Sequence, residues 1–154
     1  MALERIQHVL VQTADLDGTV AWWRDVLGLE PGPHPDFGFP VAWLYLGGED
    51  VLHLTQGGAQ VSANRTAYLS QESQAMHGTG VFDHIAFRAT DLPGMLAKLD
   101  ALGVRYASRR VDAQGLFQLF LHDPNGVKVE LNFDGAEADR AGIRPALMAS
   151  DLPR

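Results

Sequence analysis

The sequence predicts an α+β fold built from two paired βαβββ modules. Three observations predict it. First, the chain repeats itself. IQHVLVQTADLDGTVAWWRDVLGL, from Ile6, lies over FDHIAFRATDLPGMLAKLDALGV, from Phe82. His8 then falls on His84, Asp15 on Asp91, Leu16 on Leu92, Gly18 on Gly94 and Ala21 on Ala97. With one residue dropped, Leu27-Gly28 falls on Leu102-Gly103. Second, each copy turns from a strand into a helix at an Ala/Thr-Asp-Leu corner. Third, shorter strand-like runs follow each helix. One such unit closes its own core poorly, whereas two side by side close it well.

The elements follow in order. IQHVLVQT reads as the first strand. In the helix after it, Val20, Trp23 and Leu27 recur at helical spacing, and Gly28 suits the left-handed position past its end. VAWLYLGG and DVLHLTQ are the strands that follow. FDHIAFRA opens the second module. Leu92, Met95, Leu96, Leu99 and Leu102 form the apolar stripe of its helix. Asp91 caps that helix, Pro93 fits its first turn and Gly103 ends it. VRYASRRV, GLFQLFLH and VKVELNF are the last strands, and Asp123-Pro124-Asn125-Gly126 is a turn joining the final two as a hairpin. The modules therefore span residues 4–56 and 81–133. Residues 57–80 show no clear period and read as a linker or lid with room for a short helix. Residues 134–154 read as a polar C-terminal tail that packs on a neighbouring subunit or stays loose.

Composition narrows the function. Of 154 residues, 46% are hydrophobic, enough for a real core, and the formal net charge is −7 with no basic cluster. That argues against a nucleic-acid or anionic-membrane partner. With no cysteine, disulfides and thiolate metal sites are excluded. MALERIQHV lacks a basic start followed by an apolar stretch, and the longest apolar run, Val41–Leu46, is too short to span a bilayer. A cytoplasmic protein acting on a small molecule is the expectation.

The histidines make it more specific. Successive strand residues face opposite sides. Ile6, His8, Leu10 and Gln12 share one face; so do His84, Ala86 and Arg88, and so do Lys128, Glu130 and Asn132. Setting LHLTQ over VELNF puts His53 on Glu130. His8, His84 and Glu130 thus occupy the faces turned from the helices, with His53 as a fourth candidate. A lone strand histidine is more often a half-exposed or hydrogen-bonded residue than a ligand. Two at equivalent positions, with His and Glu on the matching final strands, point instead to one divalent ion: Fe, Zn, Ni, Co or Mn. Such an ion holds two substrate oxygens and stabilises a developing anion.

HVLVQTADLDGTVAWWRDVLGL, DHIAF and DPNGVKVEL together resemble the vicinal oxygen chelate superfamily, over roughly residues 4–133. That superfamily includes glyoxalase I, methylmalonyl-CoA epimerase, extradiol dioxygenases and bleomycin- and fosfomycin-resistance proteins. The resemblance implies a glyoxalase-like fold, its βαβββ modules forming a curled mixed sheet around a metal site. It implies that His8, His84 and Glu130 are ligands. His53 falls where glyoxalase I has a glutamate and the epimerase a glutamine, so it is a fourth ligand, a proton carrier or a hydrogen-bonding neighbour. The implied activity is a metal-dependent lyase or isomerase that stabilises an enolate-like intermediate, with Glu130 and His53 as the proton-handling residues. The alternatives are an Fe(II) extradiol-type dioxygenase and a drug- or metabolite-sequestering binding protein. A homodimer is implied, its sites built within one chain or from halves of two.

Phe37, Phe39, Trp43 and Tyr45 are candidates for an aromatic pocket taking a planar or acyl substrate, with core packing as the plainer reading. Arg88, on the His84 face, is a candidate for a substrate carboxylate. His34, His77 and His122 read as surface residues. Trp23 reads as core.

Overall fold

The structure, a computed structural model, describes residues 4–58, 61–69 and 75–151. It divides into two compact units, Met1–His77 and Gly78–Arg154. Each builds a strand, a helix and three further strands, as the repeat predicts. The first unit comprises β1 (Val9–Thr13), α1 (Leu16–Leu27), β2 (Glu30–Gly32), β3 (Val41–Leu46), β4 (Glu49–Gln56) and a short α2 (Ala63–Leu69). The second comprises β5 (Ile85–Arg88), α3 (Leu92–Ala101), β6 (Ala107–Val111), β7 (Leu116–His122), β8 (Lys128–Asp134), α4 (Gly135–Ala141) and β9 (Leu147–Met148).

The sheets share one plan. In the first the strand order is β1-β4-β3-β2, and in the second β5-β8-β7-β6-β9. The opening strand of each unit pairs in parallel with the last long strand, Val9 with Leu52 and Ile85 with Val129. The remaining long pairs are antiparallel. Both opening strands start later than the hydrophobic pattern suggests. The ladders begin at Val9 and Ile85, so His8 and His84 sit immediately before paired backbone.

Both helices end as their sequences require. Asp15 accepts from the Gly18 N–H and Asp91 from the Gly94 N–H, each at the helix start. Gly28 and Gly103 take left-handed backbone after the helices. Trp23, Val26 and Leu29 are buried with Leu44, Leu52 and Leu54 of the first sheet. In the second unit Leu92 and Leu99 are buried, as are Phe117, Leu119, Leu121, Val129, Leu131 and Phe133. Leu102, expected in the apolar stripe, is 51% exposed because the helix has ended by then. Fully burying each large apolar side chain stabilises a fold by about 1.5–3 kcal/mol.

The segment expected to dock on a neighbour or stay loose instead adds α4 and β9 to the second unit. Asp134 caps α4 and Ala138 is buried. Glu137 Oε2 accepts from the Leu92 N–H at 2.7 Å, tying α4 to the first turn of α3. β9 extends the sheet in parallel with β6.

Asp91 does two things at once: it caps α3, and it holds φ at 63°, the one non-glycine residue with positive φ among those described. Asparagine tolerates both demands and alanine neither. Asp91→Ala is therefore expected to cost about 2 kcal/mol in urea unfolding, from a cap of about 1 kcal/mol and a left-handed penalty of about 1 kcal/mol. Asp91→Asn should stay within about 0.5 kcal/mol of the parent; equal losses would show that neither cap nor backbone matters there.

Candidate metal and substrate site

Strand register places a side-chain cluster at equivalent positions in each unit. Leu10 pairs with His53 in the first unit and Ala86 with Glu130 in the second. His8 and His84 each lie two residues before those pairs. His53 and Glu130 are 8% and 7% exposed, buried on the sheet face turned from the leucines of the core.

In the first unit His8 stacks on His53 with ring centroids 3.7 Å apart and planes 17° apart. Trp43, paired with His53 across β3 and β4, stacks on it at 4.0 Å and 4°. His53 Nε2 donates to Asp50 Oδ2 at 2.8 Å. Burial pushes the His53 pKa down and the Asp50 hydrogen bond pushes it up; burial prevails. The His53 hydrogen bond holds the Asp50 carboxyl below its usual range. In the neutral ring, with the proton on Nε2, Nδ1 carries the lone pair. It is the ring nitrogen that the Asp50 hydrogen bond does not engage.

Asp50 is a member of this cluster that the sequence did not reveal. Three residues apart on a regular strand, Asp50 and His53 face opposite sides. The ladder between β3 and β4 shifts register here: Leu44 pairs with Leu52 but Tyr45 pairs with Asp50. Val51 is the extra residue of a bulge, which reverses the alternation and turns Asp50 to the His53 side.

In the second unit His84 Nε2 lies 3.0 Å from Glu130 Oε2, and His84 Nδ1 lies 2.8 Å from Asp83 Oδ1. Lys128 Nζ meets the same Asp83 oxygen at 2.6 Å. Hydrogen bonds from His84 and then Lys128 draw the exposed Asp83 carboxyl down to about 2. The Asp83 carboxylate on Nδ1 fixes the orientation of the imidazole and turns Nε2 toward Glu130 Oε2. Glu130 Oε1 accepts from Gln118 Nε2 at 2.9 Å and from Asn132 Nδ2 at 2.7 Å.

These donors fit a divalent ion. Ligand bonds of about 2.0–2.3 Å place the atoms sharing an ion within about 4.6 Å of one another. His8, Asp50 and His53 each offer an atom lying within 4.8 Å of the others, close to that limit, and His84 Nε2 and Glu130 Oε2 lie well inside it. Imidazole and carboxylate together suit Fe, Zn, Ni, Co and Mn.

A cavity of about 620 Å³ opens beside His8 and His53 in the first unit. Phe37, Phe39 and Trp43 line it, and Tyr68 of α2 adds a wall. The Phe37 ring lies 5.1 Å from Tyr68 and 5.6 Å from Phe39. Tyr45 does not join them. Its ring lies across Gly32, where any Cβ would meet it at 2.5 Å, and its hydroxyl donates to the Pro33 carbonyl at 2.6 Å. Arg88 is exposed at the end of β5, in register with Asn132. His34, His77 and His122 are exposed, and Trp23 is fully buried.

Fold and side-chain clusters together define a duplicated α+β domain with imidazole–carboxylate clusters on equivalent strands. The chain belongs to the Glyoxalase/Bleomycin resistance protein/Dioxygenase superfamily, whose family model matches residues 5–131. Among its relatives is "Glyoxylase I 4" of Arabidopsis thaliana, 26% identical over 132 residues, covering 84% of this chain and 70% of that protein. An "Ethylmalonyl-CoA/methylmalonyl-CoA epimerase" of Cereibacter sphaeroides is 28% identical over 137 residues, covering 82% of this chain and 96% of that one. The crystal structure of a lactoylglutathione lyase from Agrobacterium tumefaciens has the same fold, with a TM-score of 0.64 at 22% identity over 86% of this chain and 96% of that one. Among the described residues no helix is long and apolar enough to cross a membrane.

Removing the Asp50 carboxylate leaves burial of His53 unopposed by its main raising influence. Asp50→Asn should therefore lower the His53 pKa further, so that the ring protonates only at more acid pH. NMR titration of its ring protons reads this directly, and an upward shift would contradict the assignment.

Proposed function

We propose that the protein is a divalent-metal-dependent lyase or isomerase of the glyoxalase kind, with His8, His84 and Glu130 as ligands. The reading takes imidazole from the first unit and imidazole and carboxylate from the second, within one chain or across a homodimer. The observation that carries it is the matched register: each parallel ladder puts a histidine and a buried ligand-type side chain at the same place. When bound, the ion supplies positive charge toward substrate oxygens, favouring an enolate-like distribution of charge.

The remaining steps belong to the protein's own groups. His53 is the proton carrier or a fourth ligand, with Nδ1 as its working atom. Asp50 and the Trp43 face hold its ring in place. Glu130 presents Oε2 beside His84 Nε2. The cavity lined by Phe37, Phe39 and Trp43 receives a planar or acyl portion of the substrate and keeps water from it. Arg88, on the same strand face as His84, meets a substrate carboxylate.

An Fe(II) dioxygenase acting on a catechol-like substrate is the second reading. It is favoured by the aromatic cavity reaching His53, where a flat ring would lie beside a proton carrier. Oxygen separates the two: a lyase or isomerase turns over anaerobically, whereas a dioxygenase consumes oxygen and regains activity with ferrous iron.

Elemental analysis of the purified protein, followed by metal titration of the stripped protein, tests the common premise. One divalent ion per chain is expected. His8→Ala and His84→Ala should each weaken its binding at least about a hundredfold, or about 2.7 kcal/mol. Wild-type affinity in both variants would remove the reading.

A further inference from the structure

The geometry points to Gln118 and Asn132 as a clamp that makes Glu130 a one-oxygen ligand, presenting Oε2 alone. This rests on the metal reading above and adds residues that the ligand pattern does not include. Gln118 lies on β7 and is 5% exposed. Its register partner on β8 is Asn132, two residues beyond Glu130. Its amide nitrogen donates to Glu130 Oε1 and to Asn132 Oδ1, both at 2.9 Å. Its amide oxygen accepts from Arg109 Nε at 3.0 Å. The orientation of the amide is therefore fixed at both ends, since an arginine donates only and Asn132 Oδ1 accepts only. Asn132 Nδ2 donates to Glu130 Oε1 at 2.7 Å.

Glu130 Oε1 thus accepts two N–H groups, while Oε2 faces His84 Nε2 at 3.0 Å. A carboxylate held this way cannot rotate to offer both oxygens to one ion without breaking two hydrogen bonds in a buried setting and leaving their donors unpaired. The first unit has no counterpart: the residue pairing with Thr55 on β3 is Val41, and His53 is held by Asp50 and by ring stacking instead. Arg109 also lies over the Phe120 ring, 4.5 Å from its centroid, which steadies the far end of the chain of hydrogen bonds. Gln118 and Asn132 are positioning residues, acting on the ion only through Glu130.

Titration of stripped full-length protein with Co(II), followed by calorimetry and visible absorption, tests this. Gln118→Met, close to isosteric but without donors, should bind Co(II) about 10–100-fold more weakly. The Co(II) bands should also change in position and intensity as Glu130 becomes free to present both oxygens. Asn132→Ser should shift both readouts in the same direction and serves if the Met variant does not fold. In a Glu130→Ala background, Gln118→Met should cause no additional loss. Two results overturn the clamp while leaving the metal reading intact: unchanged affinity and spectrum in both variants, or an equal loss from Gln118→Met whether or not Glu130 is present. Absence of Co(II) binding by the parent protein would instead remove both.

Discussion

Everything at the candidate site depends on the parallel pairing of each unit's opening strand with its last long strand. That pairing fixes two things together. It buries Leu52 and Leu54 in one unit, and Val129, Leu131 and Phe133 in the other, on the side that completes the core. Because side chains alternate with period two, the same register sends His53 and Glu130 to the opposite face. A slip of one residue would bury the imidazole and the carboxylate among leucines and expose the leucines. The hydrophobic effect thus sets the positions of the polar groups, although those groups contribute little to it. Large apolar residues with 0–3% exposure make such a slip very costly.

Fixing the position of a buried polar group does not satisfy it, and the two units meet that need differently. A buried imidazole or carboxylate without a partner costs several kcal/mol. In the first unit the partner is a carboxylate from the same strand, delivered by a bulge, with aromatic rings on both faces of the imidazole. In the second, the partners are two amides from adjacent strands. Stacking restrains the plane of a ring while leaving an edge nitrogen open, which suits a proton carrier. Amide donors restrain a single oxygen, which suits a ligand. The repeat is symmetric in backbone and asymmetric in what surrounds its two buried groups.

The fold was legible in the sequence because it rests on signals of short range. The Asp-Leu corners, the glycines past each helix and the Asp123–Gly126 turn act within a few residues, and the duplication lets one half corroborate the other. The matched positions of His8 with His84 and His53 with Glu130 were legible for the same reason, since alignment and alternation suffice. Asp50 was not legible. Strict alternation puts it on the wrong face, and the bulge that corrects this depends on how β3 and β4 pair, which no local pattern records. Gln118 was hidden differently: an isolated glutamine in a run such as GLFQLFLH gives no sign of its cross-strand neighbours. Tyr45 was misplaced because shared strand parity says which side a ring occupies but not which way it leans; Gly32 leaves a bare patch that draws it toward β2. The final segment looked polar and loose because its anchors are scattered contacts with distant residues: Glu137 on the α3 N-terminus, Asp139 on Arg110 and the short pairing of β9 with β6.

The two clusters also differ in their surroundings. The first unit's opens onto a cavity walled by Phe37, Phe39 and Tyr68. The second unit's is surrounded by charged and amide side chains: Arg109, Gln118, Lys128 and Asn132. These differences lie on the sheet face away from the leucines, where His53, Gln118 and Glu130 are buried polar groups. Substitutions there leave the leucine core in place provided that each buried polar group keeps a partner. The duplicated core supplies equivalent positions, and the opposite face, which demands hydrogen-bond partners and not apolar packing, makes them chemically unlike.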